Sequence, residues 1–151
     1  MIRAAAARRS VNAIFLLHGI ILANWLTRIP AVQHRFGLSM GALGAYLLAT
    51  SIGALCGAPV AARLVGIYGS ARIVRISTLL FCLWLPAPGL LNHAWMLAPA
   101  LFVFGWNAAM MEVSMNTQAV IVERHMNRPV MTTFHALFSI GGMGGSGMGG
   151  G

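Results

Sequence analysis

The sequence has no lysine and is almost free of acidic residues. Its 151 residues include ten basic residues, all arginine, and only two acids, Glu112 and Glu123. Charged residues make up 8% of the chain, whereas a soluble globular protein has about a quarter. This shortage of charge excludes an ordinary soluble domain and indicates an integral membrane protein.

The net charge of +8 does not indicate a nucleic-acid-binding protein. Such proteins concentrate basic residues on one polar face, whereas these arginines are spread between apolar runs. Cysteine is also scarce, since Cys56 and Cys82 are too few for a disulfide framework or a zinc site. Each lies inside an apolar run, and we expect both to be small buried residues.

Hydrophobic residues make up 58% of the chain, and they fall into long runs. A helix needs about 20 apolar residues to cross a bilayer. The runs predict helices at residues 11–32, 40–65, 73–91, 94–122 and 130–140 onward. The fold class is therefore an all-α membrane protein with four complete transmembrane helices and a partial fifth. Residues 1–10 are predicted to be a basic tail, and residues 141–151 a Gly-rich end that frays, because glycine disfavours helix.

Local signals refine these helices. Ser39 is placed to cap the second helix. Gly53 and Gly57 form a Gly-x-x-x-Gly pair, which predicts close packing against another helix. Pro86 and Pro88 should loosen the end of the third helix, because proline has no backbone donor.

The arginines predict the orientation in the membrane. Basic residues favour the cytoplasmic side, so the amino terminus is expected in the cytoplasm. The amino-terminal side holds Arg3, Arg8, Arg9, Arg63, Arg72, Arg75, Arg124 and Arg128, and the opposite side holds Arg28 and Arg35.

Glu112 lies deep in the fourth predicted helix. A carboxylate at that depth costs a few kcal/mol to insert, so it usually faces a helix bundle or a water-filled path. Asn116, Ala119 and Glu123 continue the same helix face. We expect this stripe to bind a substrate or carry a proton. The alternative is a protonated Glu112 that forms hydrogen bonds between helices.

Other polar residues are candidates for the same pathway. Asn24 and Arg28 lie one turn apart on the first helix, although Arg28 equally fits a side chain that extends to the lipid headgroups. Gln118 and His135 complete the predicted site. His18 fits either a proton relay or a hydrogen bond between helices.

Enzyme signatures are missing from the sequence. It has no nucleophile elbow, phosphate-binding Gly loop or zinc-protease helix. Glu123, His125 and His135 do not suit a metal, because Glu-x-His spacing does not bring both side chains to one helix face. We expect no enzymatic activity, no cofactor and no metal site.

Several motifs together resemble those of a known family. They are Phe15 to Pro30 with Trp25 and Arg28-Ile-Pro, Gly37-Leu-Ser, Arg63-Leu before Gly69-Ser, Met115-Asn-Thr-Gln-Ala-Val to Glu123-Arg, Arg128-Pro, and Phe134-His-Ala-Leu-Phe-Ser-Ile-Gly-Gly. With these motifs the sequence resembles the amino-terminal half of a major facilitator superfamily transporter, in the fucose-permease-like and sugar-transporter-like bacterial branch, over about residues 11–142. The family's loop after the second helix has an acid where this chain has Gly66.

The resemblance implies a twelve-helix secondary transporter in a bacterial inner membrane. Such a protein moves a small solute, such as a sugar or a drug-like compound, by alternating access, and Glu112 makes a proton the natural coupling ion. The lipid bilayer, the solute and a missing carboxyl-terminal half are the implied partners. The chain is expected to be a truncated fragment that does not transport alone. The alternative is a small non-transporting membrane protein that binds a partner or is inert.

Overall fold

The computed structural model describes residues 2–149, with side chains for residues 5–147. This part of the chain is helical and contains no strand. Four segments are long and apolar enough to cross a membrane: Ala5–Arg35, Met40–Tyr68, Ser70–Leu90 and Ala94–Met126. The helices are α1 (Ile2–Arg35), α2 (Met40–Tyr68), α3 (Ser70–Trp84), α4 (Ala87–Leu90), α5 (Leu97–Met126) and α6 (Met131–Gly149), with a 3₁₀ turn at Ala94–Met96.

Most helices are longer than predicted. The helix α1 begins at Ile2, so the described part of the expected tail is helical, in keeping with its alanines. Its 34 residues extend over about 50 Å, more than the hydrocarbon core requires. The predicted turn at residues 66–72 shrinks to Gly69, whose φ of 81° suits glycine. The long third helix, by contrast, divides into α3 and α4 at Leu85 and Pro86.

The expectation that residues 141–151 fray is wrong for the described part, because α6 continues to Gly149. These glycines pack against α1. A methyl group built at Gly141 would overlap the carbonyl oxygen of Leu16, and one at Gly145 would overlap that of Ile20. The missing side chains let the two backbones approach, which is the use of small residues in membrane helices.

A second close contact joins α2 and α5 and confirms the Gly-x-x-x-Gly prediction. A methyl group at Gly53 would overlap the carbonyl oxygen of Phe102, and one at Gly57 would lie 2.9 Å from that of Trp106. Gly105 of α5 packs in the same way on Thr50. The bundle is therefore built from two tight helix pairs, α1 with α6 and α2 with α5.

Aromatic side chains fill the space between these pairs. The ring centroids of Phe81 and Phe104 are 4.8 Å apart, and those of Trp25 and Phe104 are 5.5 Å apart. Nearer the start of α1, Phe15 stacks on Phe134 of α6, with ring centroids 5.5 Å apart. Large apolar residues elsewhere are exposed, as lipid contact requires: Leu48, Leu55, Leu79 and Leu83 are examples.

The short connections alternate between two ends of the bundle. The arginine-rich end holds the start of α1, the turn at Gly69 and the turn between α5 and α6. There Asn127 ends α5 with a left-handed φ of 49°. The opposite end holds the turn before α2, where Ser39 accepts a hydrogen bond from the N–H of Ala42 at 3.2 Å, as predicted.

Candidate functional site

Glu112 lies on the exposed surface of α5, within the apolar span. Its neighbours Met111 and Met115 are buried in the core, so the carboxylate is on a different side of the helix. The side chain of Asn116 donates a hydrogen bond of 2.9 Å to the backbone oxygen of Glu112. Among the described residues, the Glu112 carboxylate has no hydrogen-bond partner. Its oxygens are therefore available to a hydrogen-bond donor.

The longer polar stripe predicted along this face is interrupted. Ala119 is fully buried. Glu123 turns to α6, where one carboxylate oxygen accepts hydrogen bonds from the N–H groups of Val130 and Met131, both at 2.8 Å. What remains of the stripe is therefore the exposed Glu112 and the partly buried Asn116.

Asn24 and Arg28 form a second polar pair, on α1. The Arg28 Nε donates to the Asn24 side-chain oxygen at 3.0 Å. Trp25 packs on Phe104, and Glu112 lies eight residues farther along α5, or about 12 Å. The two pairs therefore lie at different depths, and no hydrogen bond links them among the described residues.

Gln118 belongs to a helix contact. Its side-chain oxygen accepts a 2.7 Å hydrogen bond from the hydroxyl of Ser70 at the start of α3. It lines a small cavity of about 220 Å³ together with Ser10, Val74 and Arg75. The structure thus brings Gln118 to α3 and not to Glu112.

His135 is exposed on α6, and its ring meets Phe15 edge to face at 5.4 Å. It is apart from both polar pairs. The predicted site residues therefore divide into two helical pairs and two single positions.

Several polar groups are buried between the helices, and the sequence indicated His18 but not the two serines. His18 is 4% exposed, lies between Phe81 and Phe138, and its Nδ1 has no hydrogen-bond partner. The hydroxyls of Ser77 and Ser114 lie 3.5 Å apart between α3 and α5. Serines within two apolar helices were the available signal, but sequence does not show which helices meet.

Asn107 is another buried polar residue, 8% exposed. It lines a cavity of about 400 Å³ between α2, α3 and α5, which also includes Tyr68 and Arg72. Most of the other residues that line it are apolar. In polarity this cavity is therefore closer to the lipid-facing surface than to the face that carries Glu112.

Neither cysteine belongs to a cluster. No group of three or more His, Cys, Asp or Glu side chains that suits a metal occurs in residues 5–147. Cys56 is exposed on α2, so the expectation that it is buried is wrong. Cys82 is partly buried. Because Cys56 lies in the apolar span Met40–Tyr68, its side chain can face lipid without a polar partner.

Comparisons with known proteins find bacterial membrane proteins. The chain is 40% identical over 133 residues to an uncharacterized transporter of Sinorhizobium fredii, covering 88% of this chain and 35% of the relative. It is 36% identical over 138 residues to an uncharacterized MFS-type transporter of Yersinia pestis, covering 91% and 36%. It is 30% identical over 131 residues to the membrane protein MosC of Rhizobium meliloti, covering 84% and 31%.

The chain thus spans about a third of the length of these relatives. No family model matches the sequence, and no solved structure matches it with significance. The four apolar spans and the relatives agree on the class of protein. The chain is a multi-pass membrane protein related to bacterial transporters.

Proposed function

We propose that this chain forms the amino-terminal helices of a secondary active transporter of the major facilitator superfamily, in its fucose-permease-like branch. The observation that carries the proposal is the exposed Glu112 with Asn116 in the middle of an apolar span. The similarity to proteins named as transporters supports it. A small solute is the expected cargo.

An acid on the surface of a membrane helix needs a polar environment. Exposure to lipid at mid-membrane costs about 2.5–3.5 kcal/mol on insertion scales. A second group of helices, of the kind that relatives of about three times the length can supply, would cover this face and enclose a path between the two halves. Glu112 would then line that path.

In this mechanism the two halves rock around a central site and open it alternately to each side. Glu112 holds a proton or pairs with a polar group of the solute, and Asn116 offers its amide to a hydroxyl or carbonyl. Protonation removes the charge of the Glu112 carboxyl group before the site closes. The group is therefore neutral while it is enclosed in a low-dielectric environment.

The remaining predicted residues take separate roles. Asn24 and Arg28 would line the same path nearer the opposite end, since they lie about 12 Å from the level of Glu112. Gln118 would position α3 through Ser70. His135 would face the second half from α6. The arginine-rich end would lie in the cytoplasm of a bacterial cell, with the protein in the inner membrane.

The test is solute-driven proton movement in proteoliposomes that enclose a pH-sensitive dye. One set carries the complete protein encoded at this locus, and another carries the 151-residue chain. A panel of sugars and cationic drug-like compounds is added outside. We expect acidification with the complete protein for at least one solute, none with the short chain, loss on Glu112→Gln and partial retention on Glu112→Asp.

Two outcomes would contradict the proposal. Transport by the 151-residue chain alone would show that a second half is not needed. Unchanged transport in Glu112→Gln would remove Glu112 from the pathway. If the locus encodes only these helices and no solute moves, the alternative function is binding of a partner membrane protein through the exposed Glu112 face.

A further inference from the structure

A large basic recess opens at the arginine-rich end, away from Glu112. It has a volume of about 700 Å³ and lies between the start of α1, the end of α5 and the turn that follows α5. The polar side chains that line it are Arg8, Arg9, Asn12, His125 and Arg128. Three separate parts of the chain thus direct basic groups into one space.

Two polar atoms in this recess lack partners. The Nε of Arg8 and the side-chain oxygen of Asn12 are both buried and form no hydrogen bond. Buried polar groups are nearly always paired, since leaving one unpaired is unfavourable. Neither atom has accessible surface, so the two side chains must turn toward the recess before a ligand can reach them.

The recess has no acid to balance its charge. None of its lining residues is acidic. Glu123, the closer of the two acids in sequence, is committed to the N–H groups of Val130 and Met131. Glu112 lies 14 residues before Met126 on α5, or about 21 Å away. The guanidinium groups therefore attract an anion from outside the described chain.

We propose that this recess binds a phosphate group. Arginine side chains bind phosphate oxygens through paired charge-assisted hydrogen bonds. The recess lies where the apolar run of α1 begins, near Val11, which is the depth of lipid headgroups. The phosphate comes either from an anionic phospholipid such as phosphatidylglycerol or from soluble inorganic phosphate.

The test measures lipid retained by the purified 151-residue chain in neutral detergent, by native mass spectrometry. The chain is offered phosphatidylglycerol and phosphatidylcholine with identical acyl chains, with or without inorganic phosphate. We expect preferential retention of phosphatidylglycerol, because choline brings a positive charge to the arginines. Displacement of the lipid by inorganic phosphate, or binding of inorganic phosphate alone, assigns the site to the soluble anion.

Matched variants separate this recess from general surface charge. Arg8→Gln with Arg128→Gln should weaken binding roughly tenfold or more, because each change removes a charge-assisted hydrogen bond. Arg63→Gln with Arg124→Gln removes the same charge from exposed positions outside the recess, and binding should stay nearly unchanged. Equal losses in both double variants would overturn the proposal, as would the absence of both lipid preference and phosphate binding.

A second variant keeps the test decisive if the double variant does not fold. Asn12→Asp places a carboxylate beside the unpaired Nε of Arg8. It should raise the thermal unfolding temperature without lipid and abolish binding of phosphatidylglycerol. Undiminished binding in Asn12→Asp would contradict the site.

Discussion

The carboxylate of Glu123 accepts a hydrogen bond of 2.8 Å from the backbone N–H of Val130, and the same oxygen accepts one from Met131. These N–H groups begin α6 and have no partner within the helix. An acid at the end of one helix thus caps the start of the next. The negative charge also complements the positive end of the α6 dipole.

We expect Glu123→Ala to lower the free energy of unfolding by about 1–2 kcal/mol, the usual effect of losing a helix cap. Thermal unfolding in detergent, followed by circular dichroism, measures it. Glu112→Ala removes the same charge from an exposed position without a hydrogen-bond partner among the described residues and is the matched control. Equal effects of the two variants would show that the cap contributes nothing specific.

The Gln118–Ser70 hydrogen bond should couple α5 to α3. In a double-mutant cycle with Gln118→Ala and Ser70→Ala, we expect a coupling of about 0.5–1.5 kcal/mol. The measurement is the unfolding free energy of the four proteins. Ser70→Ala combined with Asn116→Ala should be additive, since Asn116 bonds to its own helix. A coupling near zero for Gln118 would contradict this contact.

Two glycines of the Gly-rich segment should respond oppositely to alanine. In a helix, alanine is more stable than glycine by about 1 kcal/mol. Gly144 has open space around it, so Gly144→Ala should be neutral or stabilising. Gly141→Ala should destabilise by about 1–3 kcal/mol, because its methyl group would force α6 away from Leu16. If both variants are equally stable, the packing of α6 on α1 is wrong.

Arg35 should hold α4 against the end of α1. Its guanidinium group donates hydrogen bonds to the backbone oxygen of Gly89 and, at 2.9 Å, to that of Leu91. We expect Arg35→Gln to speed amide hydrogen exchange in residues 85–93, measured by mass spectrometry. Arg28→Gln, which removes the same charge at the same end, should leave this exchange unchanged. Unaltered exchange in Arg35→Gln would show that the contact does not restrain α4.

Packing between helices explains why the predicted polar stripe on α5 is interrupted in the structure. The 3.6-residue period places Glu112, Asn116, Ala119 and Glu123 near one face. The period does not say where a neighbouring helix covers that face. In the structure Ala119 is buried and Glu123 reaches α6, while Glu112 remains exposed.

The Gly-rich segment also shows that a local sequence pattern does not predict packing between helices. The low helix propensity of glycine predicted that this segment frays. That propensity describes an isolated helix, without tertiary contacts. In the bundle, Gly141 and Gly145 allow α6 to approach α1 closely. Tertiary packing therefore overrides the local preference at these positions.

The class of this protein follows from its composition: few charges and long apolar runs require membrane helices, because unpaired backbone groups cannot lie in lipid. The sequence also predicted the close packing at Gly53 and Gly57 and the break near Pro86. Which polar groups meet depends on the folded bundle, which joins Gln118 to Ser70 and leaves Glu112 exposed. The reason is that periodicity gives each residue a helix face, whereas the neighbour on that face depends on contacts between segments far apart in the chain.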